Sequence, residues 1–265
     1  AATNALAGTG TLTAGVVAGG RDNPADFDTT TENYNGTAWT GSGALNTGRT
    51  ISAFVGTQTT GFYMGGIKAP ANTASNDVEN YNGTSWTNGT SFNLGRYAAG
   101  AAGTNTASVL FGGNNIGGTG TTSNVEEWNG SSWSEVNNLP SAILTQNSCG
   151  TQTGGSTATL EYDGTNWTVV GSLNTGRGNG GAAGTTSASI MATGAGPPGL
   201  SNVTELYNGT AWSNSANVSL ARQELGSARN GSASSGFWIA GGESPRTAAT
   251  EEFIQADATK TFTTS

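Results

Sequence analysis

Histidine is absent from this chain of 265 residues, and cysteine occurs once, at Cys149. Without histidine there is no imidazole to act as general acid or base near neutral pH, and none to ligate zinc or copper. A single thiol forms no intramolecular disulfide and no multi-cysteine metal site. With no histidine to activate it, Cys149 reads as a small buried side chain rather than a nucleophile. Charge is scarce as well. Only 10% of residues are charged, and nine basic against 17 acidic residues leave a net charge of −8. That balance repels phosphate backbones, so nucleic acid is not an expected partner. No apolar run approaches the ~18 residues of a membrane-spanning helix, so no membrane insertion is expected. The chain opens at Ala1 without methionine, basic segment or apolar leader, and reads as a processed or trimmed product, or one whose start lies upstream.

Glycine is what the chain has in excess, 43 residues, with no Gly-X-Y period that would make it collagen. The sequence also repeats itself. An aromatic-Asn/Asp-Gly-x-x-Trp hexamer runs from Tyr34 to Trp39, Tyr81 to Trp86, Trp128 to Trp133, Tyr162 to Trp167 and Tyr207 to Trp212. Ten residues after four of these tryptophans stand Arg49, Arg96, Arg177 and Arg222, while Ile143 follows Trp133 at that distance. Seventeen residues after the first four tryptophans comes a glycine: Gly56, Gly103, Gly150 or Gly184. Short apolar runs ending in glycine pairs follow, such as Phe62 to Gly66 and Val109 to Gly113.

Each segment reads as strand or turn. An Asn-Gly or Asp-Gly dipeptide between an aromatic and a Thr/Ser-x-Trp segment is a strong hairpin signal, expected to place both turn residues at positive φ. The apolar runs are rich in β-branched and aromatic residues and stop at glycines. No window carries a capped helical stripe. Four strands in a unit of about 45 residues, repeated six times, is the arithmetic of a β-propeller. The sixth unit is degenerate, with Thr250 to Phe253 in place of the hexamer and Phe262 where a tryptophan is expected. The expected fold is all-β: a six-bladed propeller with about four antiparallel strands per blade and blade four shortened. The shortening shows in spacing, because Gly150 to Tyr162 is 12 residues against 25 from Gly56 to Tyr81. Strand parity argues for four compressed strands there, with a gap on the loop face.

Glycine pair, aromatic, tryptophan and arginine in this order resemble the kelch repeat over nearly the whole chain. The resemblance implies a blade whose innermost strand follows the arginine. The second strand then ends at the glycine pair, the third carries the Tyr and the fourth the Trp. Blades are expected at about 1–46, 47–93, 94–140, 141–174, 175–219 and 220–265 of a single domain.

Tyr34, Trp39, Tyr81, Trp86, Trp128, Trp133, Tyr162, Trp167, Tyr207 and Trp212 are therefore expected to be structural, filling the spaces between blades. Arg49, Arg96, Arg177 and Arg222 recur with a glutamate two residues before the hexamer aromatic (Glu32, Glu79, Glu126, Glu205, and Glu251 in the sixth unit). A ladder of Arg-Glu or Arg-backbone bonds at the blade seams is the expectation, since a binding site seldom needs one residue in nearly every blade. Asp22, Asp26 and Asp28 are a weak calcium candidate: their spacing is not that of an EF-hand, and a solvated loop is the simpler reading. Glu126-Glu127 and Glu251-Glu252 are neighbours on a strand, so they face opposite ways and make no catalytic pair. The Asn-x-Ser/Thr sequons mostly coincide with the Asn-Gly-Thr turns, which explain them without glycosylation. Kelch-type oxidases bind copper through histidines, so that activity is not carried over. No enzyme and no cofactor are expected.

The Glu-x-aromatic-Asn-Gly-Thr-x-Trp units, the Leu-Asn-Thr-Gly-Arg linkers and the Thr-Lys-Thr-Phe-Thr-Thr-Ser terminus also resemble kelch-like virion structural proteins of marine tailed phages. The resemblance implies a non-enzymatic module on a virion surface or outside the cell, whose partners are other virion proteins or a host-surface glycan or protein. A secreted bacterial lectin or adhesin is the alternative. Specificity is expected in the variable loops Asp22 to Thr31, Lys68 to Asp77, Asn114 to Asn124 and Ala195 to Asn202.

Overall fold

The hexamer is a closed turn. In the computed structural model, its first aromatic and its tryptophan are cross-strand partners: Tyr34 with Trp39, Tyr81 with Trp86, Trp128 with Trp133, Tyr162 with Trp167 and Tyr207 with Trp212. Four residues lie between each pair, and only the glycine takes positive φ, between 89° and 98° in all five. The residue before it holds the turn with its side chain. Asn35, Asn82, Asn129, Asp163 and Asn208 each accept two backbone N–H bonds from the residues two and three further on. The two-residue turn with both φ positive is thus replaced by a longer Asx-type loop.

The structure describes residues 5–23, 26–68, 72–115, 120–143, 157–227, 237–241, 249–256 and 259–261. Among these there is no helix, and the strands gather into antiparallel sheets that follow one another along the chain. The first sheet is Ala7–Thr11, Ala14–Ala18, Thr31–Tyr34 and Trp39–Gly41. The second is Ala53–Thr57, Thr60–Met64, Val78–Tyr81 and Trp86–Asn88. The third is Gly100–Gly103, Ser108–Phe111, Val125–Trp128 and Trp133–Glu135. For the fourth unit the described strands are the pair Thr159–Tyr162 and Trp167–Val170. A fifth sheet holds Gly181–Thr185, Ala188–Ala192, Thr204–Tyr207 and Trp212–Asn214. The last holds Leu225–Ser227, Phe237–Gly241, Glu251–Ala256 and Thr259–Thr261. Each four-stranded sheet is a simple meander in which neighbours in sequence are neighbours in space. Phe262 and the stretch 144–156, with Cys149 and Gly150, lie outside the described residues.

First strands pack on first strands. Ala7–Thr11 lies against Ala53–Thr57, and Ala53–Thr57 against Gly100–Gly103; Leu225–Ser227 lies against both Gly181–Thr185 and Ala7–Thr11. Small side chains permit this crowding, and larger ones fill the spaces between sheets. One cluster joins Ala7, Val16, Ala18 and Leu45 of the first unit to Phe54, Tyr63, Tyr81 and Trp86 of the second. Each fully buried ring contributes roughly 2–3 kcal/mol by area. This arrangement of repeated antiparallel sheets is that of a β-propeller-like fold.

A chain of backbone hydrogen bonds runs through the residues two places after the arginine positions. Ile51 N–H donates to Ala5 C=O, Ala98 N–H to Ile51 C=O, and Glu224 N–H to Asn179 C=O, all at 3.0 Å. Ala5 N–H donates to Glu224 C=O at 3.0 Å, so the first and last units meet by the same bond that joins internal neighbours. All five residues sit at φ between 52° and 59°. The last sheet takes its fourth strand, Thr259–Thr261, from its own end of the chain, and among the described residues no strand is lent across the junction.

Candidate binding surface

Among the described residues four arginines are buried, and each is clamped within its own unit. Arg49 meets Glu79 at 2.7 Å, Arg96 meets Glu126 at 3.1 Å, Arg177 meets Glu205 at 2.6 Å, and Arg222 bonds Glu251. The glutamate stands in the third strand of the sheet that its arginine introduces. Its other contacts go to the chain entering that sheet: backbone N–H of Asn46 donates to Glu79, of Asn93 to Glu126, of Asn174 to Glu205 and of Ser219 to Glu251. Arg49 also donates to the carbonyls of Gly65 and Asp77, tying the glycine pair to the same knot. Burial pulls the Arg96 guanidinium down to about 10, against the raising influence of Glu126 and Glu135, so it stays charged at neutral pH. These pairs grip the connection between sheets; the first three are fully buried, and only Glu251 of the fourth is partly exposed.

The fourth unit replaces the whole device. Ile143 stands for the arginine and Leu160 for the glutamate, both within one apolar cluster with Phe111, Val125 and Leu139. Pro140 occupies the place of the donating N–H and has none to offer. The main-chain seam nevertheless survives: Gly113 N–H donates to Ile143 C=O at 2.7 Å, as Gly20 does to Arg49, Gly66 to Arg96 and Gly194 to Arg222.

The hexamer rings face the preceding sheet. Trp86 Nε1 donates to Thr31, Trp212 Nε1 to Thr159 and Trp39 Nε1 to Thr250, each acceptor being the residue just before the clamp glutamate or its replacement. Valine holds that place in the second and third units. Trp133 Nε1 turns instead to the Thr90 carbonyl, while Trp167 Nε1, facing Val125, is buried with no hydrogen-bond partner among the described residues. Tyr34 bonds Glu252, Tyr81 bonds Asn33, and Tyr162 bonds Glu127 at 3.0 Å. Burial first, and then the bonded carboxylate, push the Tyr34 and Tyr162 hydroxyls up to about 12. Glu126 and Glu127 therefore serve opposite faces of one strand, as do Glu251 and Glu252. Sequence reading missed one regular position: the residue six after each tryptophan (Leu45, Phe92, Leu139, Leu173, Val218) is buried and plugs the seam. Its recurring apolar character was the available signal.

Open chemistry lies at one edge of the sheets, where second strands return to third strands. Small hairpins rise there: Arg21–Asn23 with Asp26–Phe27, Ile67–Lys68 with Thr73–Ala74, Asn114–Asn115 with Gly120–Thr121, and Ala195–Gly196 with Gly199–Leu200. The fourth unit is 13 residues shorter over this stretch. Of the calcium candidate, Asp22 is exposed and Asp28 accepts a bond from Thr30, while the side chain of Asp26 lies outside the described residues. Lys68 pairs with Asp77 at 2.7 Å. Burial works to raise Asp77, but the bonds from Lys68 and Ser75 outweigh it and hold the carboxyl below its usual range. Between the third, fourth and fifth units a cavity of ≈ 280 Å³ is lined by residues including Phe111, Leu160, Glu161, Trp167, Ser189 and Tyr207.

No family model and no curated protein matches this chain. Among solved structures, that of YjhT is similar, with a TM-score of 0.74 and 16% identity over 98% of this chain and 97% of that one. Identity this low speaks for the fold alone.

Proposed function

We propose that the chain is a six-bladed β-propeller of kelch type with a shortened fourth blade. We further propose that it works without catalysis, as a structural and binding module of a tailed-phage virion, in a fibre, tail or capsid appendage. One observation carries the non-enzymatic part: Glu79, Glu126, Glu205 and Glu251, with their arginines, are committed to internal clamps. Glu127 and Glu252 are committed to tyrosines of the adjoining unit. These six carboxylates are thus held by the scaffold, while variable side chains gather on the hairpins of one edge, where a neighbouring virion protein or a host-surface glycan or protein would be met. The virion assignment rests on the likeness of the repeat units to kelch-like phage proteins.

Mass spectrometry of purified particles, with antibody labelling in the electron microscope, tests this reading. The chain is expected in stoichiometric amounts on the particle surface. Absence from particles together with selective binding on a glycan array would establish the lectin or adhesin instead. Turnover abolished by changing one acidic residue would overturn the non-enzymatic reading.

A further inference from the structure

The residue just before the third-strand aromatic changes from unit to unit, and it changes together with the aromatic of the following unit. Asn33 faces Tyr81, Glu127 faces Tyr162 and Glu252 faces Tyr34, each joined by a side-chain hydrogen bond. Glu161 stands beside Tyr207, and burial first and then this carboxylate push the Tyr207 hydroxyl up. At the junction of the fifth and sixth units the ring has no hydroxyl, being Phe253, and the facing position is Leu206, in the same apolar cluster. Asn80 is followed by Trp128, whose indole donates within its own unit to the Asn105 carbonyl; stacking of Phe62 on Trp133 serves that junction instead.

A half-buried hydroxyl facing leucine, or a carboxylate facing phenylalanine, would lose water without replacement, whereas the bonded pairs Asn33–Tyr81, Glu127–Tyr162 and Glu252–Tyr34 and the apolar pair Leu206–Phe253 are each satisfied. We infer that these two positions form a matched pair across each such junction, polar with polar and apolar with apolar, so that the residue on one sheet constrains the residue its neighbour can carry. At Glu252 and Tyr34 a pair of the matched polar kind closes the junction of the last sheet with the first. It is a conformational device of the ring, separate from any ligand the hairpins bind.

Urea unfolding of paired variants tests it. Glu127→Leu and Tyr162→Phe, made singly, are each expected to weaken the folding equilibrium by about five- to twentyfold, the scale of one orphaned polar group. Made together they are expected to return to within about threefold of the parent, a coupling that independent sites lack. Glu127→Leu with Tyr207→Phe, which do not face each other, should simply multiply. Transfer of the matched pair is the sharper arm: Leu206→Glu with Phe253→Tyr is expected to be about tenfold or more better folded than Leu206→Glu alone. If Leu206→Glu does not fold, recovery of folding in the double variant gives the same answer. Independent effects in the first cycle, or no rescue in the second, would overturn the inference.

Discussion

Gly65 and Gly66 show what a single residue does at a seam. Gly65 N–H donates to Asp77 C=O and Gly66 N–H to Arg96 C=O, at φ of 64° and 96°. A methyl group on Gly66 would stand 2.1 Å from Ser52 Oγ and 2.7 Å from the Thr50 carbonyl. Gly66→Ala is therefore expected to cost about 2–4 kcal/mol, read as a lower denaturation midpoint; a loss below about 1 kcal/mol would show that the seam yields. At Trp167 the reverse holds. Threonine in place of Val125 would restore the acceptor that Thr31 and Thr159 supply elsewhere, and Val125→Thr is expected to be neutral or to stabilise by about 1 kcal/mol, where Val16→Thr destabilises. The tyrosines set an alkaline limit. Tyr34, Tyr63 and Tyr162 are raised to about 12 in the fold from 10. A raised acid keeps its proton longer folded than unfolded, so its contribution is whole below pH 10 and is lost as pH climbs toward 12. Absorbance titration should show late-ionising tyrosines, with stability falling across that window; Glu127→Gln should bring Tyr162 back toward 10. The rings were legible in the sequence as seam fillers. Their hydroxyl partners were not, since a facing sheet is set by three dimensions and not by spacing.

Among elements, the clamp is the unit of construction, and the fourth unit is its natural control. Breaking a buried ion pair on one side leaves an uncompensated charge and costs about 3–5 kcal/mol, whereas an apolar replacement of both partners is often neutral. Arg177→Ile alone should show the large loss. The pair Arg177→Ile with Glu205→Leu should recover only part of it, because the N–H groups of Asn174 and Thr175, which donate to Glu205, are then orphaned. Adding Asn174→Pro, after Pro140, removes one of those donors and should regain about 1 kcal/mol; a further loss would mean that the fourth unit is held by something other than its dry cluster. Ile143 stood out in the sequence as a missing arginine. Its companions Leu160 and Pro140 did not, because the glutamate is recognised only by its distance from an aromatic and the donor belongs to the main chain. The turn was half-legible for a related reason: Asn-Gly announces a reversal, but its length depends on whether asparagine bends the backbone or bonds it.

For the molecule as a whole, period and turn chemistry were enough to read an all-β succession of meanders, since each unit must bury both faces against its neighbours. How the two ends meet was not legible, because among the described residues no strand of the last unit is borrowed and nothing in spacing marks a junction made of single bonds. The structure joins them through Ala5 to Glu224, Trp39 to Thr250 and Tyr34 to Glu252, the three contacts used between internal neighbours. An experimental density map of the entire chain tests this most directly. The account predicts six radial sheets with Ala5 N–H on the Glu224 carbonyl and the Trp39 indole on Thr250. A map in which the final sheet stands apart from the first, or in which the sheets number other than six, would contradict it.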